Sequence, residues 1–466
     1  MRAPVYHLVS LGCPKNDVDS QRILGAFALD GWTYAEDPAR ADLCLVNTCG
    51  FLHDARVEAA RTLAALRRAA PRARIVAIGC LPERAGSDLS LAPFLADADA
   101  CAGFADYPRL PARCRELLAS AARGGGGGAA TFLAPAGYRD AVLPPSYIRW
   151  LSGPALRYTP GPAAWLKLGE GCSNHCAYCA IPLIRGDRVS RTIPAILKNA
   201  RQLLADGARE LNLVAQDTTA YGMDFDGKPH LLDLLHALLG IDDPFFIRLL
   251  YAHPRHLSAP VLRLLADEPR LCPYLDLPIQ HSETRTLRAM NRGYGAARVR
   301  DLVHSIRDLC PDIALRTTLI IGHPGETPAE FGRLLDFVQE GHFDHLGVFA
   351  WSPEPGTPAA RKAASAATPA EARHRQKLVM DAQKAVSAAR WKARRQTRTV
   401  VFPDVPNPDG TWSCHSLHQA PDGLDGACTL HIPPALAGAF DPALPALATI
   451  ARTSAYSIHA TLAPAG

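Results

Sequence analysis

Residues 165–182 read WLKLGEGCSNHCAYCAIP, a short apolar run followed at once by Cys172, Cys176 and Cys179. The run WLKLG has the aliphatic and aromatic content of a buried strand. It delivers three thiols, spaced CxxxCxxC, into a tight loop. Three thiolates held that close can wrap one corner of an iron–sulfur cubane, and three protein ligands leave the fourth iron of a 4Fe–4S cluster open. An open metal position can chelate a small molecule, as the fourth position of a catalytic zinc does. Zinc is the alternative occupant, but it would want a fourth protein ligand. His175 is nearby, and its side chain would compete for space inside the loop.

The same strand opens a series. Downstream lie ELNLVAQ (210–216), FIRLLYA (246–252), YLDLPIQ (274–280), IALRTTLIIG (313–322) and HLGVFAW (345–351), with helix-like stretches such as Ile193–Leu204, Leu231–Leu239 and Ala329–Gln339 between them. Six βα units in succession predict a partial (β/α)6 barrel over residues 158–392.

Upstream, residues 1–120 alternate in the same way. VYHLVSLG (5–12), ADLCLVNT (41–48) and ARIVAIG (73–79) read as strands, with helix-like Ser20–Leu29 and Val57–Ala69 between them. This predicts an N-terminal parallel α/β sheet domain. Cys13, Cys49 and Cys80 each follow one of these strands. The carboxyl ends of parallel strands form the ligand crevice of an open α/β sheet, so the three thiols should converge into a second three-ligand site. Gly12 and Gly79 would allow close backbone approach there. Three unrelated buried cysteines are the alternative. The other seven of the 13 cysteines read as small buried hydrophobes.

Between these blocks, ARGGGGGAA (122–130) and the Pro-rich text after it predict a linker over 121–157. After the barrel, TRTVVF, ACTLHI, LATIA and YSIHATL, separated by Pro/Gly/Asp turns, predict a small β-barrel over 393–466. The fold class is therefore α/β with a C-terminal β domain. The net charge of +5 is unevenly spread: residues 361–398 carry 11 Lys/Arg against Glu371 and Asp381, while residues 399–466 carry Arg452 against five aspartates. The basic stretch reads as an amphipathic helix with Leu378, Ala382, Val386 and Trp391 as its apolar residues. It is either a solvated face or an approach to a ribosome or other RNA-bearing partner. No run is long and apolar enough for a membrane helix, the N-terminus lacks a signal-peptide pattern, and the odd cysteine count argues against a disulfide framework. A cytoplasmic protein is the expectation.

At these residues the chain resembles the methylthiotransferase family of radical S-adenosylmethionine (SAM) enzymes. The resemblance spans GCPKNDVDS around Cys13, NTCGF around Cys49, GCLPER around Cys80, the CxxxCxxC loop, IPLIRGDRVSR, VAQDTTAYG, LDLPIQH, IIGHPGET, WSPEPGTPA and QAPDGLDG. The C-terminal block resembles a TRAM domain. Within the family, Cys13-Pro14-Lys15-Asn16 and Gly50-Phe51 are similar to the members that modify ribosomal protein S12, where tRNA-modifying members typically carry Gln-Met after the first cysteine. The acidic C-terminal block favours a basic protein over a phosphate backbone. The text LLYAHPRH (249–256) departs from the aromatic-rich pattern of relatives.

The resemblance implies two 4Fe–4S clusters and SAM. Cys172, Cys176 and Cys179 would hold the radical-SAM cluster, and Cys13, Cys49 and Cys80 an auxiliary cluster that supplies sulfur. The implied reaction is methylthiolation of the β-carbon of an aspartate of ribosomal protein S12, free or on the ribosome, with SAM as radical source and methyl donor and with a reducing electron donor. Gln216, Asp217, Gln280, Gly322 and Glu326 are candidates for the SAM and substrate pocket, and each could equally serve as a strand-end or turn residue. Lys15 and Asn16 are candidates for supporting the auxiliary cluster, and Lys15 could equally be a solvated loop residue. Two alternatives stand beside this reading: a tRNA adenosine methylthiotransferase and a non-catalytic iron–sulfur carrier.

Overall fold

The computed structural model describes residues 2–122, 131–132, 145–158 and 161–464. Its first sheet is built from β1 (Val5–Ser10), β2 (Thr33–Tyr34), β3 (Leu43–Thr48), β4 (Arg74–Gly79), β5 (Ala100–Ala102) and β6 (Thr131–Phe132), in the spatial order β2-β1-β3-β4-β5-β6. All its pairings are parallel. β3 is buried at every one of its six positions, as a central strand covered by helices on both faces must be. The helices Pro14–Leu29, His53–Ala69 and Cys80–Ser87 return the chain between strands.

The second sheet follows from β7 (Ala163–Lys167), with β8 (Gly169–Glu170) and β9 (Val189–Ser190) forming a separate small pair. β10 (Glu210–Val214), β11 (Phe246–Leu249), β12 (Leu271–Asp276), β13 (Ala314–Ile321) and β14 (His345–Ala350) then add in sequence order, all parallel. This is the expected six-stranded partial barrel. Its largest apolar core runs from Ala164 to Val379 and is filled by Leu, Ile, Val and Phe from strands and outer helices. The helix Pro328–Gln339 starts on a capping box, in which Thr327 Oγ1 and the Glu330 carboxylate satisfy each other's backbone N–H groups.

β15 (Arg398–Pro406), β16 (Trp412–Ser416), β17 (Ala427–His431), β18 (Ala446–Thr453) and β19 (Ser457–Leu462) close into a five-stranded barrel. It packs on the residues that begin the barrel strands: His415 Nε2 lies 2.7 Å from Glu210 Oε2, Arg248 donates to the Leu417 carbonyl at 2.7 Å, and Arg316 and Tyr274 both bond Asp425. The carboxyl ends of the strands therefore remain for the N-terminal sheet to cover.

Three sequence readings change. The linker expected over 121–157 lies mostly outside the described residues, but its last part is packed. Pro145–Trp150 is helical, and Tyr147 is wholly buried against Phe104 and Tyr107. The basic helix (Pro369–Ala393) buries Ala372, Arg375, Val379, Gln383, Ser387 and Trp391, whereas Leu378 is exposed. The buried stripe includes polar side chains because each is satisfied there: Arg375 bonds Glu326, Gln383 bonds the Phe343 carbonyl and Ser387 that of Asp344. The acidic excess of the C-terminal block is not all on the surface, since Asp425 is buried in its bonds to Arg316 and Tyr274, and Asp404 pairs with His415. Among the described residues no helix is long and apolar enough to cross a membrane.

Candidate functional site

The loop after β7 and β8 is fixed by its own backbone. Cys172 N donates to the Gly186 carbonyl at 3.0 Å, Cys179 N to that of Cys176 at 3.0 Å and Ala177 N to that of Met290 at 2.9 Å. Gly171 has φ +71°, and a Cβ there would strike the Asp187 carbonyl oxygen, so only glycine lets the two segments meet. His175 points away from the thiols: its Nε2 lies 3.2 Å from Asp187 Oδ1 and its side chain is 59% exposed. It is not placed as a fourth ligand. Arg292 Nη1 donates to Cys176 Sγ at 3.3 Å and to Tyr178 Oη at 3.2 Å.

The parallel topology brings the other three cysteines together as expected. Cys13 caps the helix Pro14–Leu29, Cys49 follows β3, and Cys80 opens the helix Cys80–Ser87. A Cβ on Gly12 (φ +98°) would lie 3.0 Å from the Cys49 Cβ, and one on Gly50 would lie 2.7 Å from the Cys80 carbonyl oxygen. Asn16 braces this corner. Its Nδ2 donates to the carbonyls of Leu11 and Thr48, and its Oδ1 accepts from Arg185 Nη2 at 2.7 Å. The same guanidinium reaches Cys80 Sγ at 3.5 Å and Glu170 Oε2 at 2.6 Å. Burial pushes the Cys49 thiol up to about 12, with Cys80 adding to the effect. Burial also raises Cys80, against the pull of Arg185.

Both triads line one cavity of about 310 Å³, together with Lys15, Gln216 and Gln280. Gln280 has φ +69°, and its Oε1 and that of Gln216 are buried without a partner among the described residues. Asp217 stands one layer behind. Its Oδ2 takes hydrogen bonds from Asn174 at 2.7 Å and His256 at 2.9 Å, and Asn174 lines the cavity. Burial alone would raise the Asp217 carboxyl, but the bond from His256 and the charges around it hold it well below the usual carboxylate range. Gly322 and Glu326 do not line this cavity. Glu326 accepts from Gly322 N at 2.5 Å and from Arg375 at 2.8 Å, so it ties a turn to the long basic helix. Of the two guanidiniums that touch cysteine sulfurs, Arg185 lies in the family text IPLIRGDRVSR, without spacing that assigns it a role, and Arg292 carries no mark in the sequence.

The donor set suits polynuclear clusters. Among the described residues, the one trio of His, Cys, Asp and Glu side chains whose ligand atoms all lie within 4.8 Å of one another is Asp217, His253 and His256. Neither cysteine triad forms such a tight single-ion group. Each triad is three soft thiols, buried or half-buried, and soft thiolates favour iron–sulfur centres over hard cations. Orphaned amide oxygens between the triads leave acceptors for a bound organic molecule.

Residues 5–98 match the uncharacterized protein family UPF0004, and residues 166–338 match the radical SAM superfamily. The ribosomal protein uS12 methylthiotransferase RimO of Syntrophus aciditrophicus is 41% identical over 431 residues, covering 91% of this chain and 92% of its own. RimO of Geobacter sulfurreducens is 42% identical over 424 residues, covering 90% and 91%. The chain belongs to the RimO family of radical SAM methylthiotransferases. Among solved structures, the radical SAM methyltransferase TsrM of Kitasatospora setae, with tryptophan and a SAM analog bound, shares the fold at TM-score 0.54 and 16% identity, covering 77% of this chain and 75% of that one. A TsrM structure with cobalamin and a 4Fe–4S cluster gives TM-score 0.52 at 16% identity, covering 77% of each. Membership in the RimO family places this chain among enzymes, which sets aside the carrier alternative.

Proposed function

We propose that this protein methylthiolates an aspartate β-carbon of ribosomal protein S12, in the cytoplasm, with Cys172, Cys176 and Cys179 holding the radical-SAM cluster and Cys13, Cys49 and Cys80 the auxiliary cluster. The observation that carries the reading is that two independent cysteine triads, one from each parallel sheet, line a single cavity. When bound, the clusters and SAM supply a one-electron radical source, a methyl donor and a sulfur carrier.

The chain's own residues do the rest. The N-terminal sheet brings Cys13, Cys49 and Cys80 to the cavity at the carboxyl ends of the barrel strands. Arg292 donates to Cys176 Sγ and Arg185 to Cys80 Sγ, and these bonds orient the two sulfurs toward the cavity wall they share with the guanidiniums. Asp217 accepts from Asn174 and so anchors the loop of Cys172, Cys176 and Cys179 to the end of β10. Gln216 and Gln280 offer the unpartnered amide oxygens to SAM or substrate. Anaerobic reconstitution, reaction with SAM, a reductant and S12, and mass spectrometry of S12 test the reading. A gain of one methylthio group on an aspartate is expected. Modification of tRNA with S12 unchanged would overturn it.

A further inference from the structure

Lys15 stands where a cation is costly. It lies in the first turn of the helix Pro14–Leu29, where the helix dipole and unpaired N–H groups already carry positive charge. It is only 8% exposed. Its cationic neighbours are all bonded: Lys167 pairs with Asp19 and Arg185 with Glu170 and Asp19, while Arg292 donates to the Pro278 carbonyl and Cys176 Sγ. Among the described residues the Lys15 ammonium forms no ion pair and donates no hydrogen bond, and it sits 3.2 Å from the centroid of the Tyr251 ring. It lines the cavity shared by the two triads. The carboxylates of Asp276 and Glu170 act on this ammonium only through space, and among the described residues none bonds it, so its hydrogen-bonding capacity is open to an anion that enters the cavity.

We propose that Lys15 is the seat for the side-chain carboxylate of the residue being modified, and so determines specificity for an acidic residue. The inference rests on the functional reading above. SAM also carries a carboxylate, but Lys15 belongs to the segment that carries Cys13, in the N-terminal sheet domain, whereas the loop of Cys172, Cys176 and Cys179 belongs to the barrel. The substrate side is therefore favoured. Tyr251 gives the lysine stem and ammonium an aromatic platform while the site is empty of substrate.

The test uses the reconstituted holoenzyme, S12, and S12 in which the modified aspartate is replaced by asparagine. Wild-type enzyme should lose about thirty-fold or more in kcat/KM on the asparagine substrate. Lys15→Met should lose a similar factor on aspartate S12 and no longer distinguish the two substrates. Its KM for SAM, its SAM cleavage without S12 and its iron content should be unchanged. Lys15→Arg should recover part of the preference for aspartate. A raised KM for SAM with slower cleavage in the absence of S12 would assign the carboxylate to SAM and overturn the proposal. Altered iron content or cluster absorption with the aspartate preference intact would make Lys15 a counter-charge to the cluster, and would also overturn it. Should Lys15→Met lose its clusters altogether, the wild-type comparison decides, since equal kcat/KM on both substrates excludes a charge-reading seat. Absence of any modification by the wild-type holoenzyme would remove the functional reading and this inference with it, a result visible before any variant is made.

Discussion

Arg84 Nη1 lies 3.0 Å from Glu354 Oε2 and 2.8 Å from the Gly50 carbonyl oxygen. One guanidinium thus joins the segment after β14 to the turn that follows Cys49. Arg56 approaches the same carboxylate oxygen at 2.6 Å, and all three side chains are at most 4% exposed. The auxiliary corner is held over the barrel by a buried ion triad, not by apolar packing alone.

Replacing Glu354 with Gln should leave two buried guanidiniums short of a counter-charge. Removing one member of such a cluster costs about 3–5 kcal/mol. The expected result is a lower apparent Tm and faster hydrogen exchange across residues 50–56. An unchanged exchange pattern would show that the triad does not secure this turn.

The two triads should load independently. Cys13→Ala and Cys172→Ala should each retain about half of the wild-type iron after anaerobic reconstitution. Full iron in either variant would reassign the ligands.

Gly50→Ala separates the corners by sterics alone, because its Cβ would lie 2.7 Å from the Cys80 carbonyl oxygen. Forcing that overlap should cost about 1–3 kcal/mol and displace Cys49 or Cys80. Iron at the auxiliary triad should fall, while SAM cleavage without S12 should persist at the radical triad. Loss of both together would mean that the barrel cannot hold its site without the sheet.

The contact between the C-terminal barrel and the (β/α)6 barrel should weaken in alkali. Burial alone would lower the His415 pKa, but Glu210 and Asp404 raise it to about 9. The folded form thus binds this proton more tightly than the unfolded chain, whose ordinary value is about 6.5. The stabilisation is fully present below pH 6.5 and fades as pH rises through 9, by roughly 3 kcal/mol in total. Unfolding followed from pH 6 to 10 should show this slope, and His415→Gln should flatten it. A variant with the wild-type slope would place the titration elsewhere.

Much of the site was legible because its chemistry is written in spacing. CxxxCxxC after a strand, and cysteines closing three successive parallel strands, need only the geometry of a βα unit to be read. Gln216 and Gln280 were reachable by the same rule, as strand-end residues. Glu326 obeys the rule equally and yet faces Arg375 instead of the cavity, since a strand end says nothing of which way the following turn folds. The seven remaining cysteines are all buried, in keeping with their reading as packing residues. The apolar stripe of the long helix was misplaced for a related reason: hydrophobic periodicity cannot see that Gln383 and Ser387 are buried by bonding carbonyls on the adjoining β14 side of the barrel.

The sequence alone indicated the parallel βα alternation of both sheets, the cysteines that close their strands and the glycines that let their backbones approach, because each depends on contacts within a strand–turn–helix unit. Only the tertiary structure decided that the triads share one cavity, that Arg185 and Arg292 donate to their sulfurs, that Arg56, Arg84 and Glu354 clamp the sheet to the barrel, and that Lys15 is buried without an ion pair among the described residues. The Arg292 contact depends on how the barrel closes on itself, and the others on how the two sheets meet. Arg84 and Glu354 are 270 residues apart, and no local pattern encodes a pairing at that distance.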